Sequence, residues 1–426
     1  MKMKNWLAFA AIATLVTTTA CEDETPDPVA SYSISEATLE GAQVMRITGT
    51  INEDVTLTNG NNYSLSGGVF VANGATLTIE AGTTIYGETG GASTAFLSVL
   101  KGGKINAVGT ASSPIVMTSS NELSNTASAR GDWGGVIVNG NATINTGATA
   151  TGEGGTGEYG GTDDSDNSGT IKYVRVEYAG KQLGPDNELN GFSFNGVGSG
   201  TTIEFIQSYM GADDGIEFFG GTVNLKYAVS SGSGDDSFDW TDGWRGNGQF
   251  WVVHQAADAG DRGIEADNRS SNPALEPISN PTIANLTIVG ANHNDGVRLR
   301  AGTSATIWNA IVTGARDGVE VKADEVNTVA LRNFRVFSNI FNYTDDEGNA
   351  KTSGDIKGDT ASALAAEAGN NFTTGSVSLT GFVGTEVGGS TPAGSFFTTA
   401  DYIGAVSATN NWTTGWVRGL DGNIIQ

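Results

Sequence analysis

The chain has 426 residues, with 22 basic side chains against 47 acidic ones and a formal charge of −25. That balance argues against nucleic acid as a partner, because phosphates are recognised by Lys and Arg. It suits cation binding or a polyanionic exterior. The lone cysteine, Cys21, excludes an intramolecular disulfide.

Lys2 and Lys4 precede an apolar run of eleven residues, 6 to 16, and then the small residues Thr17 to Ala20. That order marks residues 1–20 as a signal peptide. A spanning helix would need about 20 apolar residues. Thr18-Thr19-Ala20-Cys21 resembles a bacterial lipobox, whose cysteine is acylated and becomes the new N-terminus. Thr18 departs from that pattern, which favours an aliphatic residue there. Glu22, Asp23 and Glu24 resemble the surface-export signal of Bacteroidota-type lipoproteins, and Pro26, Asp27 and Pro28 suit a solvated tether over 21–35. Loss of the signal, with its two lysines and no acids, leaves 20 basic against 47 acidic residues, a charge of −27.

The rest of the chain reads as all-β. Short runs of Val, Ile, Thr, Phe and Tyr alternate with Gly, Asn, Asp and Ser. Val69-Phe70-Val71, Leu77-Thr78-Ile79, Leu97-Ser98-Val99, Ile115-Val116-Met117, Val136-Ile137-Val138 and Val174-Arg175-Val176 are expected strands. Residues 147–169, rich in Gly, Thr and Asp, are expected to form an exposed loop.

From residue 190 the runs repeat. An apolar-polar-apolar tripeptide follows a Gly or Ser at Phe192, Ile216, Phe238, Ile264, Val297 and Val319, at spacings of 24, 22, 26, 33 and 22 residues. A second strand is expected to begin at Ile203, Val223, Phe250, Ile283 and Ile307, so that each repeat holds at least two short strands and a sharp turn. The 33-residue step holds a loop over 268–281. A unit of about 22 residues cannot bury an apolar face alone, so its neighbours must stack on it. A propeller blade needs about 40 residues and fits badly.

A parallel β-helix satisfies the spacing. Successive coils rise by about 4.8 Å. The first residues of the tripeptides then form one inward column, and Phe194, Phe218, Trp240, Ala266, Leu299 and Val321 a second. The middle residues point outward, since side chains alternate along a strand. Glycines at the corners are expected to supply positive φ. The β-helix is expected over 36–340, with its clearest repeats at 170–325. Residues 357–369 suggest one short helix, and 341–426 are expected to supply the last coils and an end cap.

Gly74-Ala75-Thr76-Leu77-Thr78-Ile79, Gly82-Thr83, Ser113-Pro114-Ile115, Trp133-Gly134-Gly135-Val136-Ile137 and Gly211-Ala212-Asp213-Asp214-Gly215 carry a resemblance over roughly residues 40–420. The chain resembles the pectin-lyase-like β-helix lipoproteins of Gram-negative bacteria, which include a spirochaete outer-membrane lipoprotein. The resemblance implies a right-handed parallel β-helix in one solenoid domain. It also implies an outer-membrane address, at the cell surface or facing the periplasm, and a link to TonB-dependent transporters. It implies no catalytic residues.

The repeat places Glu217, Asp239 and Glu265 at one outward position in three coils. Asp213, Asp235 and Asp261 share another, as do Asp214, Asp236 and Arg262. Like charges facing each other on neighbouring strands are destabilising. At about 4.8 Å each adjacent pair repels by about 1 kcal/mol in water, and by about 3.5 kcal/mol at an effective dielectric of 20. Either protons or cations must relieve this. Asp213, Asp214, Glu217, Asp235, Asp236 and Asp239 are therefore candidate calcium ligands. Turn chemistry alone is the competing explanation of Asp-Asp-Gly. Farther along, Arg298 falls between Glu265 and Glu320, and the column alternates in sign.

Trp244, Arg245, Asp242, Arg262 and Glu265 are candidate ligand-binding residues, with Trp244 expected in a surface loop. Polyuronide-cleaving β-helix enzymes use calcium and an arginine base, which Arg245, Arg262 or Arg298 would have to supply here. The polygalacturonase-like Asp-Asp, Gly-His-Gly and Arg-x-Lys set is absent. His254 and His293 stand apart in different coils. The sequence favours an envelope lipoprotein that binds a glycan, a metal-bearing ligand or a transporter partner. A polysaccharide lyase or hydrolase and a structural adhesin are the alternatives.

Overall fold

The computed structural model describes residues 32–124, 126–185, 187–322, 326–337, 342–344, 348–358 and 371–426. The signal, Cys21 and most of the tether lie outside the described residues. So does the expected short helix, except Lys357 and Gly358, which end a strand, Gly354–Gly358.

The chain winds into a right-handed parallel β-helix whose strands join one 26-stranded sheet. On the first face Val69, Leu97, Val136, Phe192, Ile216, Phe238, Ile264, Val297 and Val319 stack in register. None is more than 1% exposed. The second inward column continues through Phe194, Phe218, Trp240, Ala266, Leu299 and Val321. The tripeptides expected before residue 190 all lie in strands.

Each coil has three faces, where the repeat called for at least two strands. The second strand of the repeat bends at a single residue into two ladders. One runs through Ile203, Leu225, Gly248, Ile283 and Ile307, the other through Ile206, Ala228, Trp251, Leu286 and Ala310. The bend residues Tyr173, Phe205, Tyr227, Phe250, Asn285, Asn309 and Asn333 all take φ between 50° and 61°. Phe250 is therefore a corner residue and not a strand start, and Val223 precedes the strand Asn224–Ser231. Left-handed backbone is costly for aromatic residues. Stacking offsets that cost here: Tyr173–Phe205, Phe205–Tyr227 and Tyr227–Phe250 lie 4.3, 4.2 and 4.9 Å apart, centroid to centroid, and nearly parallel.

Many turn glycines supply the expected positive φ, among them Gly135 before Val136, but four of those before first-face strands serve another purpose. Gly191, Gly215, Gly263 and Gly296 are not among the positive-φ residues. They are small because coils touch there. A Cβ on Gly191 would come 2.2 Å from Ser208 Oγ, and one on Gly296 would come 2.3 Å from the Gly318 carbonyl oxygen.

Gly354–Gly358 and Phe372–Thr374 add parallel strands to the last coil, as expected of 341–426, but the ends otherwise differ from expectation. An antiparallel hairpin, Ser33–Leu39 with Ala42–Ile51, lies at the N-terminal end. The segment 379–426 does not close the far end; it runs back along the bent flank. Side-chain amides hold it as a sheet edge would. Gln249 donates to the Thr398 carbonyl (2.7 Å) and accepts from its N–H (2.8 Å). Gln207 makes the same reciprocal pair with Arg418, and Asn309 with Ser390. Trp412 and Trp416 cover the aromatic corner.

Candidate functional site

The site lies outside the first face, where the polar middle residues of the tripeptides project. Ser193, Glu217, Asp239, Glu265, Arg298, Glu320 and Lys357 form one in-register column. The preceding turns add Asp213, Asp214, Asp235, Asp236 and Asp261. Four groups of three bring carboxylate oxygens within 4.8 Å of one another: Asp213–Asp214–Asp235, Asp214–Glu217–Asp239, Asp235–Asp236–Asp261 and Asp236–Asp239–Glu265. All six expected calcium ligands thus belong to one connected cluster.

The inner part of the cluster is covered, which the sequence did not indicate, while Asp235 stays exposed. Asp214, Glu217, Asp236 and Glu265 are each at most 8% exposed. The cover comes from two loops. One is the 147–169 stretch, expected to be exposed. It carries a small hairpin, Ala150–Thr151 with Glu158–Tyr159, and a 3₁₀ turn, Glu153–Gly155. The other is the hairpin Gln182–Gly184 with Asn187–Glu188. The Gly154 N–H donates to Asn187 Oδ1 at 2.9 Å and joins them. Asn190, 1% exposed, donates from Nδ2 to Glu217 Oε2 at 2.6 Å.

Burial drives the electrostatics. It lifts the Asp213 carboxyl to about 8, helped by Glu188, Asp235 and Glu153. Burial and Glu188 lift Glu153 to about 7. Asp214, Glu217, Asp236 and Asp239 lie well above the usual carboxylate range, first from burial and then from neighbouring carboxylates: Glu217 beside Asp214, Asp239 beside Glu217, and Glu265 beside both Asp236 and Asp239. Glu265 is raised less, because Arg262 and Arg300 oppose its burial. Arg262 Nη1 lies 2.8 Å from Glu265 Oε1 and 3.6 Å from Asp236 Oδ2. Arg300 Nε lies 2.9 Å from Asp267 Oδ1.

Beside the cluster is a cleft of about 210 Å³, lined in part by Glu153, Tyr159, Asn195, Phe219, Asp242 and Arg269. Asp242 Oδ1 accepts from Arg269 Nη1 at 2.7 Å, and Asp242 Oδ2 from the Tyr159 hydroxyl at 3.4 Å. Tyr159 and Phe219 tilt toward each other with centroids 6.4 Å apart. Asn195 Oδ1 is buried without a partner.

A family model describing a pectate-lyase-like β-helix domain matches residues 49–417. The chain belongs to this family. No curated protein and no solved structure matches it.

In this pectate-lyase-like chain the expected ligand-binding residues separate into four places. Asp242 lines the cleft. Arg262 and Glu265 are paired inside the acidic cluster. Arg245 lies away from both; it pairs with Asp164 at 2.9 Å and lines a different hollow with Glu276 and Pro277. Trp244 is not a surface residue. It is fully buried, stacks on Phe218 at 4.1 Å and donates to the Val223 carbonyl at 3.1 Å. Its loop folds inward because the flanking glycines, Gly243 and Gly246, let the indole reach the core. Glu153, Tyr159, Asn190, Asn195, Phe219 and Arg269 were not anticipated. One signal was available: Tyr159 is a large aromatic residue inside a stretch otherwise made of small and polar residues.

Proposed function

We propose that the protein is an envelope lipoprotein, anchored through Cys21, that binds a glycan in the cleft over the first face. The observation that carries this is the composition of the cleft wall. It combines the aromatic side chains of Tyr159 and Phe219 with an oriented Asp242–Arg269 pair. Sugars present alternating C–H faces and hydroxyls, and few convergent polar groups on an apolar wall suit them. The signal-like run before Cys21 supports the anchor. The lipoprotein resemblance supports an outer-membrane address and a transporter partner.

The test is a panel of neutral and acidic glycans offered to the mature chain. Asp242→Asn and Phe219→Ala should each weaken the best binder by tenfold or more, about 1.4 kcal/mol, with the circular dichroism unchanged. Equal affinity in all three proteins would refute the cleft. Hydrolysis is the second reading. It is favoured by Glu153, whose carboxyl is lifted to about 7, lining the same cleft as Asp242. New reducing ends in the same panel would support it.

A further inference from the structure

The acidic cluster divides into two parts that differ in how their charge is met. Asp236 and Glu265 have Arg262 beside them, and Arg300 stands by Asp267. Among the described residues no Lys, Arg or His forms an ion pair with Asp214, Glu217 or Asp239. Yet these three offer carboxylate oxygens within 4.8 Å of one another. Opposed oxygens around a calcium-sized ion, bound at 2.3–2.6 Å, stand about 5 Å apart.

Asn190 supplies an observation independent of the acids. It is 1% exposed, its Nδ2 rests on Glu217, and its Oδ1 has no hydrogen-bond partner. A buried amide oxygen without a donor is costly. Asp239 Oδ1 is likewise buried and unpartnered. An orphaned amide oxygen beside three mutually repelling carboxylates, one of them itself with an orphaned oxygen, is what a hard cation would satisfy. Sulfur and imidazole donors are missing from the set, which disfavours zinc.

We infer that Asp214, Glu217 and Asp239, with the amide oxygen of Asn190, hold one divalent cation of the calcium type. The ion clamps three successive coils, because Asn190 precedes the Phe192 strand, Asp214 and Glu217 flank Ile216, and Asp239 follows Phe238. Asp213 and Asp235 stand at its outer rim, where they attract the ion and carry none of the inner ligation. Its role is structural, holding together the coils that form the floor of the neighbouring cleft. The site stands whether or not the cleft binds a glycan.

The experiment is calcium titration of the chelator-treated mature chain, by calorimetry and by thermal melting, with magnesium as comparison. The wild type should show one saturable site and a higher melting temperature with calcium. Asp239→Asn should weaken binding by at least tenfold while melting higher than the wild type in chelator, since it removes repulsion. Asn190→Ala, a milder change, should weaken calcium binding without that gain. Absence of heat together with an unmoved melting temperature overturns the inference. So does calcium binding by Asp239→Asn as tight as the wild type's. A wild type stabilised by acid and indifferent to calcium would show that protons, not a cation, relieve the cluster.

Discussion

The outward column of the first face has two halves built on the same backbone. From Arg298 onward the signs alternate: Arg298 Nε lies 3.0 Å from Glu320 Oε2, and Lys357 follows Glu320 in register. From Glu217 to Glu265 the column is acidic, and among the described residues basic side chains pair with it only at its Glu265 end. Both halves bury equally good apolar columns on their inner side. The core therefore does not explain the difference. One half is a self-neutralised wall; the other stores repulsion beside a cleft, and repulsion is what a cation or a proton can relieve.

The junction between the halves offers the strongest way to break this contrast. Arg262 meets Asp236, Asp261 and Glu265. Arg262→Ala should cost about 3–5 kcal/mol, since it strands buried carboxylates, and urea unfolding would measure it. Calcium should recover part of the loss, because the acidic region then extends to Glu265. A loss under about 1 kcal/mol would mean that the two halves do not differ in this way. A smaller effect is expected in the neutralised half. Glu320→Ala should cost about 1 kcal/mol and be insensitive to calcium. Replacing Arg298 as well should add little, as a double-mutant cycle would show. Calcium sensitivity in Glu320→Ala would erase the comparison.

Much of the fold was legible because a parallel coil repeats its chemistry in one dimension. Phe192, Ile216 and Phe238 occur at the same step after a small residue, so their stacking could be read directly. The third face was hidden. Its boundary is one left-handed residue, Phe205 or Tyr227, and an aromatic residue carries no sequence mark of positive φ. The path of 379–426 was hidden too, since its partners Gln207 and Gln249 are distant in sequence and look like ordinary outward polar residues. At the site, the acidic register followed from the repeat, whereas its cover did not. Asn190 and Glu153 reach it from loops that break the period, and only the folded loops show that these carboxylates are buried.

The central claim concerns the sign of a pH dependence. Carboxylates whose folded pKa is raised stabilise the fold fully below their unfolded values and lose that contribution as pH rises through the folded ones. For Asp213 the window runs from 3.8 to about 8, and for Glu153 from 4.5 to about 7. The decisive measurement is the melting temperature of the wild type in chelator between roughly pH 5 and roughly pH 8, repeated in calcium. Melting should fall with rising pH in chelator and flatten once calcium is present. A melting temperature that holds steady or climbs over that range without calcium would contradict the account.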